Sequence, residues 1–377
     1  MKTCFSLLLA LGFYFSASAQ TVTELYQKRD YKELIKKESK ELTGEEFYMI
    51  GYAYFQLEND KKAIECYDKA IKKDYKDAAV YFYKGLSLFY MKAYKDAMKE
   101  VETAISIEPD NQEYVNQKGL ILLYQGDSKA ALPVFEQATK LKNTYGEPFY
   151  WVAYIHHENQ EYQKALDLYY IAADSIPATN SYLLSTLESI GQLEYTFTYN
   201  YSKSAEAYTQ AIALKPDNYE YYYKLIKSYN GAKDFHKADS VFRVVQVAFN
   251  QGRLPQDEME MKTVIIAQFE WNGHHATILR SLVDPKNTLD ISYKVFLLNK
   301  EGDAVERRFV VEKTIQLEEG GVKHLLCEQD KKTGSHITYP YGWSTDDITT
   351  EELEKGVKMV LDGKLKMGAS SNTGGKK

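Results

Sequence analysis

Small and apolar residues recur every 34 positions in the first half of the chain. Gly51, Gly85 and Gly119 are 34 residues apart, and one further step falls on Ala153. Each of these positions is followed by two alanines with an aromatic or apolar residue between them: Ala63, Tyr67 and Ala70; Ala97, Val101 and Ala104; Ala131, Phe135 and Ala138; Ala165, Tyr169 and Ala172. A fixed period of this length is typical of stacked helix–turn–helix units. The pattern therefore predicts an all-α solenoid.

Turn residues and prolines mark where the predicted helices end. Gly126-Asp127 separates the two helices of the third unit, and Pro109 ends a second helix because proline cannot continue the hydrogen-bond ladder. Residues 201–218 are predicted to contain the second helix of a fifth unit, which has five additional residues before that helix. Residues 219–251 then return to the register as a sixth unit.

This arrangement resembles the tetratricopeptide repeat (TPR) family, whose units open with an aromatic-x-x-apolar-Gly run, carry two alanines around an aromatic residue and end in proline. The resemblance covers residues 44–252, and residues 20–43 are predicted to cap the N-terminal end of the solenoid. It implies about six helix–turn–helix units and a concave groove lined by the first helix of each unit. It also implies a scaffold that binds a protein or peptide and is not an enzyme.

Aromatic residues, mostly tyrosines, occupy the positions that the resemblance assigns to the groove. The chain contains 33 tyrosines. Tyrosine is favoured at binding surfaces because it offers a large apolar face and a hydroxyl at low entropic cost. The predicted partner-binding residues are Tyr48, Tyr52, Phe55, Phe82, Phe89, Tyr90, Tyr124, Tyr150, Tyr154, His157 and Tyr223. The alternative, that individual rings pack between neighbouring units, stays open at this point.

The predicted groove lacks the cationic residues with which some TPR proteins clamp the carboxyl terminus of chaperones. Those proteins use Lys, Asn and Arg at concave positions where this chain has Tyr48, Phe82 and Asn116. An extended or helical peptide with apolar side chains is therefore the expected ligand.

Residues 253–367 have a different pattern, in which β-branched and apolar residues form short runs separated by turn signals. Strands are predicted at residues 263–269, 277–283, 289–298, 304–312 and 322–327, with a hairpin between the third and fourth and a helix at residues 350–361. These elements predict a small β-rich α+β domain of no recognised family, followed by a disordered tail at residues 368–377. A last solenoid helix within residues 257–271 is an open alternative.

The sequence contains no recognisable motif for catalysis or metal binding. His274 and His275 are adjacent, so on a strand they would point to opposite faces. His324, Cys327 and His336 lack a metal-ligand spacing. Helix capping and the helix dipole account for the acidic residues near the last predicted helix, which are Asp346, Asp347, Glu351 and Glu352. We therefore expect no metal and no cofactor.

The first 19 residues have the pattern of a cleavable signal peptide. Lys2 precedes an apolar run at residues 5–15, and Ala17-Ser18-Ala19 provides a small-residue cleavage site. The run is too short to cross a membrane, and no later stretch reaches the roughly 20 apolar residues that a transmembrane helix needs. We expect a bacterial protein in the periplasm or outside the cell, without a transmembrane segment.

The net charge of the chain narrows the choice of partner, and the cysteines show whether disulfides are expected. Without Lys2, the chain carries 46 basic and 53 acidic residues, an excess of acid that disfavours nucleic acid as a partner. Cys66 and Cys327 lie in different predicted domains and do not suggest a disulfide framework. Association of such a scaffold with the cell envelope is a further expectation. In a second hypothesis, the C-terminal domain is an envelope- or carbohydrate-binding module that carries the specificity.

Overall fold

The computed structural model describes residues 20–141, 145–254, 263–282, 293–302, 304–316, 321–330, 332–344 and 348–366. The predicted signal peptide at residues 1–19 and the predicted tail at residues 368–377 lie outside these ranges. The chain forms two compact units, the first ending at Glu161 and the second beginning at Tyr162. We call them unit 1 and unit 2.

Unit 1 consists of helices. The short N-terminal helices are α1 (Val22–Gln27) and α2 (Tyr31–Leu34), and a 3₁₀ turn at Ile35–Lys37 follows α2. The longer helices are α3 (Gly44–Gln56), α4 (Asp60–Lys72), α5 (Ala78–Tyr90), α6 (Tyr94–Ile107), α7 (Gln112–Tyr124), α8 (Ser128–Ala138) and α9 (Glu147–Glu158). The pairs α3 and α4, α5 and α6, and α7 and α8 pack together, as the 34-residue period predicts.

The helices of unit 1 start and stop at residues suited to those positions. Thr43 and Glu46 form a reciprocal capping box at the start of α3. Gly126 has a φ of 85° after α7, a left-handed conformation that glycine adopts without steric cost. The next residue, Asp127, then accepts a hydrogen bond from the Ala130 N–H at the start of α8. The turn predicted at Gly126-Asp127 is confirmed.

Close contact between the two helices of a repeat depends on glycine. A Cβ atom built on Gly119 of α7 would lie 2.5 Å from the Phe135 ring of α8, which is fully buried. The corresponding atom on Gly51 of α3 would lie 2.7 Å from the Tyr67 ring of α4. The repeating glycine therefore provides the space for the aromatic ring of the second helix.

Replacement of Gly119 by alanine tests this packing. Alanine normally stabilises a helix by about 1 kcal/mol relative to glycine. Here we expect a loss of about 1 to 3 kcal/mol, because Phe135 cannot move away without disturbing the core. Trp151 stacks on Phe135 at 6.0 Å between ring centroids, so its fluorescence during urea unfolding, in a chain carrying Trp271→Phe and Trp343→Phe, is a suitable measurement. A gain in stability would contradict the packing.

Unit 2 begins with helices and ends with a β-sheet. The helices are α10 (Tyr162–Ser175), α11 (Ser181–Thr196), α12 (Tyr201–Leu214), α13 (Tyr219–Gly231) and α14 (Phe235–Asn250). The strands are β1 (Thr263–Trp271), β2 (His274–Ser281), β3 (Tyr293–Leu298), β4 (Val305–Gln316), β5 (Gly321–Gln329) and β6 (His336–Trp343), and α15 (Thr350–Leu361) follows them. Each strand pairs antiparallel with the next, in the order β1-β2-β3-β4-β5-β6.

The predicted fold class, a TPR-like solenoid followed by a β-rich α+β domain, is confirmed. The 16 residues of α11 accommodate the additional length of the fifth repeat. The hairpin between β3 and β4 and the helix at residues 350–361 are as predicted. For the alternative helix at 257–271, the described part from Thr263 is a strand.

Strand β6 is absent from the prediction. It contains Pro340 and Gly342, which read as strand breakers in the sequence. The strand lies at the edge of the sheet, where a proline without an N–H donor is tolerated. A Cβ atom on Gly342 would lie 2.2 Å from the His324 carbonyl oxygen of β5, so glycine permits the close approach of the two backbones.

The last two solenoid helices share a hydrophobic core with the sheet. Phe242 of α14 is fully buried and belongs to the same cluster as Val264 of β1, Phe309 of β4 and Val357 of α15. An ion pair of 3.0 Å between Asp239 of α14 and Arg280 of β2 also joins the two parts. The change from helix to strand after residue 252 is therefore not a boundary between hydrophobic cores.

Among the described residues, Cys66 and Cys327 are both buried and form no disulfide. Within the described ranges, every helix is too short or too polar to cross a bilayer.

Candidate functional site

The first helices of the repeats in unit 1 form one surface, which we call the first-helix face. It consists of α3, α5, α7 and α9, and both α3 and α7 contact α5 directly. Most of the predicted partner-binding residues lie on these four helices.

At one end of the face, tyrosines pack against each other and against the N-terminal helices. Tyr52 of α3 lies 5.5 Å from Tyr26 of α1 and 6.0 Å from Tyr31 of α2, measured between ring centroids. Tyr48 lies 6.5 Å from Tyr26. Tyr48 and Tyr52 are consequently half-buried. The chain's own N-terminal helices thus cover this end of the face.

The middle of the face carries two exposed rings. Tyr90 at the end of α5 is 60% exposed, and Tyr124 at the end of α7 is 56% exposed. The ring centroid of Phe55 lies 6.1 Å from that of Tyr90. The ring centroid of Phe89 lies 5.0 Å from that of Tyr124, in an edge-to-face contact. Large rings held in this way offer apolar area to a partner with little further loss of entropy.

Helix α9 provides the other end of the face in unit 1. The rings of Tyr150 and Tyr154 lie 5.0 and 5.7 Å from the ring of Trp151, which is buried. Tyr150, Tyr154 and His157 are half-buried. Their positions three and four residues apart place them along one side of the helix.

Two predicted residues do not contribute to an exposed surface. Phe82 is buried because the Tyr114 ring of the next repeat packs on it at 4.5 Å. Tyr223, which lies in unit 2, is buried in the core cluster that contains Ile226 and Phe242. The prediction that Phe82 and Tyr223 line the groove is therefore wrong, because both are core residues.

One residue of the face was missed. Tyr83 follows Phe82 on α5, and its ring contacts Tyr52 at 4.9 Å and Phe55 at 5.6 Å. Burial, then the Tyr52 hydroxyl and the Glu113 carboxylate, raise the pKa of Tyr83. The signal available in the sequence was a second aromatic residue beside Phe82.

The lysines of these four helices are directed to the second helices. Only Lys84 and Lys118 occur within α3, α5, α7 and α9. Lys84 pairs with Asp68 of α4 at 2.7 Å and with Glu100 of α6 at 2.9 Å. Lys118 pairs with Glu102 of α6 at 2.7 Å. The lysine charges of the first helices are therefore neutralised by carboxylates of the second helices.

Acidic residues, in contrast, influence the tyrosines of the face. Partial loss of solvent, then the charges of Asp60 and Glu147, raise the pKa of Tyr90. Partial loss of solvent, then Glu158 and the Tyr124 hydroxyl, raise the pKa of Tyr154. These groups from α4, α5, α7 and α9 therefore lie near a common, acidic and aromatic surface.

Three histidines of unit 2 have separate acidic partners. His274 Nδ1 lies 2.8 Å from Glu306, and His275 Nδ1 lies 3.3 Å from Glu270. His336 pairs with Glu312. Among the residues that the structure describes, no group of three or more His, Cys, Asp or Glu side chains is arranged to hold a metal ion.

The acidic residues near α15 have a structural role where they are described. Glu352 accepts a hydrogen bond from the Thr349 N–H, and the Thr349 hydroxyl accepts one from the Glu352 N–H, which completes a capping box. Asp346 and Asp347 lie outside the described residues.

Comparison with known proteins identifies the repeats. Family models described as "Tetratricopeptide repeat" match residues 44–77 and 116–179. Residues 44–77 and 116–179 thus lie in a TPR segment, which supports a scaffold for protein–protein interactions. TPR proteins are typically non-enzymatic. No family model matches the C-terminal domain.

A curated relative carries the same repeats. The TPR repeat-containing protein MJ1428 of Methanocaldococcus jannaschii is 27% identical over 187 residues, which are 49% of this chain and 32% of the relative. The chain thus spans about a third of the length of that relative.

Several solved structures are similar. The C-terminal part of a TPR repeat-containing protein from Cytophaga hutchinsonii is 16% identical with a TM-score of 0.47, over 64% of this chain and 98% of that chain. PilF of Pseudomonas aeruginosa is 20% identical with a TM-score of 0.46, over 53% of this chain and 91% of that chain. YrrB, described as a TPR protein with an unusual peptide-binding site, is 18% identical with a TM-score of 0.37, over 57% of this chain and 98% of that chain.

Proposed function

We propose that this protein is an exported scaffold that binds a protein or peptide on the first-helix face of unit 1. The observation that carries the proposal is the pair of exposed rings, Tyr90 and Tyr124, each supported by a further aromatic residue. Exposed aromatic surface that is held rigid by its neighbours is characteristic of binding sites. Tyr48 and Tyr52 contribute less contact area, because α1 and α2 cover them.

The binding region that we propose therefore runs from Phe55 through Tyr90 and Tyr124 to Tyr154. This part of the face lies beyond the covered end and has both exposed rings at its centre. Its partner is a segment of another protein that carries apolar side chains for the rings. We attribute no catalytic step to the protein.

Export is proposed from the N-terminal sequence. The positive residue Lys2, the apolar run at residues 5–15 and the small residues before Gln20 have the order of a signal peptide. On this basis the protein works in the periplasm or outside a bacterial cell, where association with the envelope is also proposed. Fractionation of cells that express the full chain tests this, with a new N-terminus at Gln20 as the expected result. An uncleaved chain in the cytoplasm would contradict export.

Site-specific photocross-linking tests where the partner binds. We expect benzoylphenylalanine at position 90 or 124 to give the same covalent adduct in cells that produce the protein. The matched control is position 199, because Tyr199 is 66% exposed but lies in unit 2. A further probe at Thr338 samples the exposed side of strand β6. An adduct that forms only at 199 or 338 would contradict the proposed site and would favour specificity in unit 2.

A further inference from the structure

Glu113 is an acidic residue of the first-helix face for which the described residues provide no cationic partner. In the described part of the chain, no lysine, arginine or histidine forms an ion pair with it. The nearby lysine of the same helix, Lys118, is paired with Glu102 of α6. Glu113 is thus a carboxylate on a surface from which the lysines are turned away.

The environment of Glu113 disfavours its charge. Glu113 is the second residue of α7, a position where the helix dipole normally favours an anion and lowers a carboxyl pKa. Although Glu113 is an exposed residue, neighbouring protein atoms remove part of its solvent, and this effect, then the charge of Glu147, raises the pKa of Glu113. The other titratable groups that face it are the hydroxyls of Tyr83 on α5 and Tyr114 on α7. A bound cation would relieve this unfavourable arrangement.

Asn116 provides an independent indication of a ligand. Its side chain is 2% exposed, and its Nδ2 donates a hydrogen bond to the Glu147 carboxylate at 3.4 Å. Its Oδ1, in the same amide group, is buried, and no group among the described residues donates a hydrogen bond to it. Buried polar atoms without partners are uncommon. Since Asn116 lies one helical turn after Glu113, the amide lies beside both carboxylates.

We propose that Glu113, Glu147 and Asn116 bind a cationic side chain of the partner, with arginine preferred to lysine. This inference rests on the proposed function, because the cation belongs to the segment that lies on the first-helix face. An arginine guanidinium would donate hydrogen bonds to carboxylate oxygens and, after reorientation of the amide, to Asn116 Oδ1. Arginine is preferred because its planar group also stacks on aromatic rings such as Tyr83.

Selection from a random dodecapeptide phage library tests the proposal with the full chain as target. The reference target is the same chain with Tyr90→Ala and Tyr124→Ala. We expect the selected peptides to be enriched in basic residues, with arginine more frequent than lysine. For a synthetic peptide of this set, replacing the arginine by citrulline should weaken binding about tenfold or more, because citrulline keeps the shape and loses the charge.

Variants of the protein show whether the three residues act as proposed. Glu113→Gln and Asn116→Leu should each weaken the selected peptide about tenfold. Glu136→Gln is the control, because it removes the same charge from an exposed position on α8. If the peptides depend on Tyr90 and Tyr124 but lack basic residues, or if Glu113→Gln does not weaken them, the cation site is wrong and the proposed function stands. If no peptide depends on the two tyrosines, both proposals fail.

The pH dependence of stability gives a second measurement that needs no peptide. The pKa of Glu113 is higher in the folded chain than in the unfolded chain. Its ionised form therefore destabilises the folded chain at a pH above the folded-state pKa, and this destabilisation disappears at a pH below the unfolded-state pKa. Glu113→Gln should therefore raise the urea midpoint at pH 7 and leave it unchanged near pH 3. A variant that is less stable at pH 7 would show that Glu113 has a structural role, and would overturn the proposal.

Discussion

Replacement of Phe242 by alanine should cost about 3 to 5 kcal/mol of the unfolding free energy of unit 2. Phe242 is fully buried in the cluster that joins α13 and α14 to the sheet and α15. Removal of its ring would leave a cavity in a cluster that contains helix residues such as Ala238 and strand residues such as Val264, and neither element can close it alone. The helices and the sheet should consequently lose stability together.

Urea unfolding of a chain carrying Trp151→Phe measures this effect. The remaining tryptophans, Trp271 and Trp343, both lie on strands of unit 2, so their fluorescence reports the sheet. Val244→Ala is the matched control, since Val244 lies on the same helix but is 48% exposed. The control should change stability by no more than about 0.5 kcal/mol. Equal effects of the two substitutions would contradict the shared core.

The shared core also determines how the protein can be divided for experiments. A fragment that ends at residue 252 keeps α14 but removes the strands that cover Phe242, Val245 and Ala248. Such a fragment exposes apolar surface and is a poor test of where the partner binds. Point substitutions in the full chain avoid this difficulty.

The double replacement Tyr90→Ala and Tyr124→Ala should weaken binding of the partner about a hundredfold or more. Exposed rings at the centre of an interface commonly contribute about 2 kcal/mol or more each, and about 1.4 kcal/mol corresponds to a factor of ten. Because both side chains are more than half exposed in the free protein, their removal should leave the stability of unit 1 nearly unchanged. Titration calorimetry with the partner identified by cross-linking provides the affinity.

Tyr199→Ala serves as the control for this double variant. Its ring is 66% exposed, similar to Tyr90 and Tyr124, but it lies in unit 2. The control should bind the partner with unchanged affinity. If the double variant binds the partner as tightly as the Tyr199→Ala control does, the two tyrosines are not anchors and the proposed site is wrong.

The helical part of the fold could be predicted because its packing repeats in the sequence. The period places Gly51, Gly85 and Gly119 opposite Tyr67, Val101 and Phe135, and the structure shows these contacts. The exposure of individual side chains on a first helix could not be predicted as well as the packing between the two helices of a repeat. Phe82 occupies the same position in its repeat as Tyr48, yet it is buried because the following repeat contributes Tyr114. Such differences depend on the neighbouring repeat and not on the period.

The less regular features of the fold could not be predicted from the sequence and were seen only in the structure. The pairing of Lys84 with Asp68 and Glu100 depends on side-chain direction across three helices, which the spacing does not reveal. The shared core of unit 2 arises from contacts between Phe242 and strands more than twenty residues further along the chain. Strand β6 has a proline and a glycine that are acceptable only at the sheet edge.

Fluorine NMR of the full chain tests the central claim most directly. Three proteins would carry a single 3-fluorotyrosine at position 90, 124 or 199, and each would be titrated with the partner identified by cross-linking. We predict that the resonances at positions 90 and 124 shift with saturation at the same partner concentration, while the resonance at position 199 does not move. Binding that leaves the resonances at positions 90 and 124 unchanged would contradict the assignment of the first-helix face as the binding site.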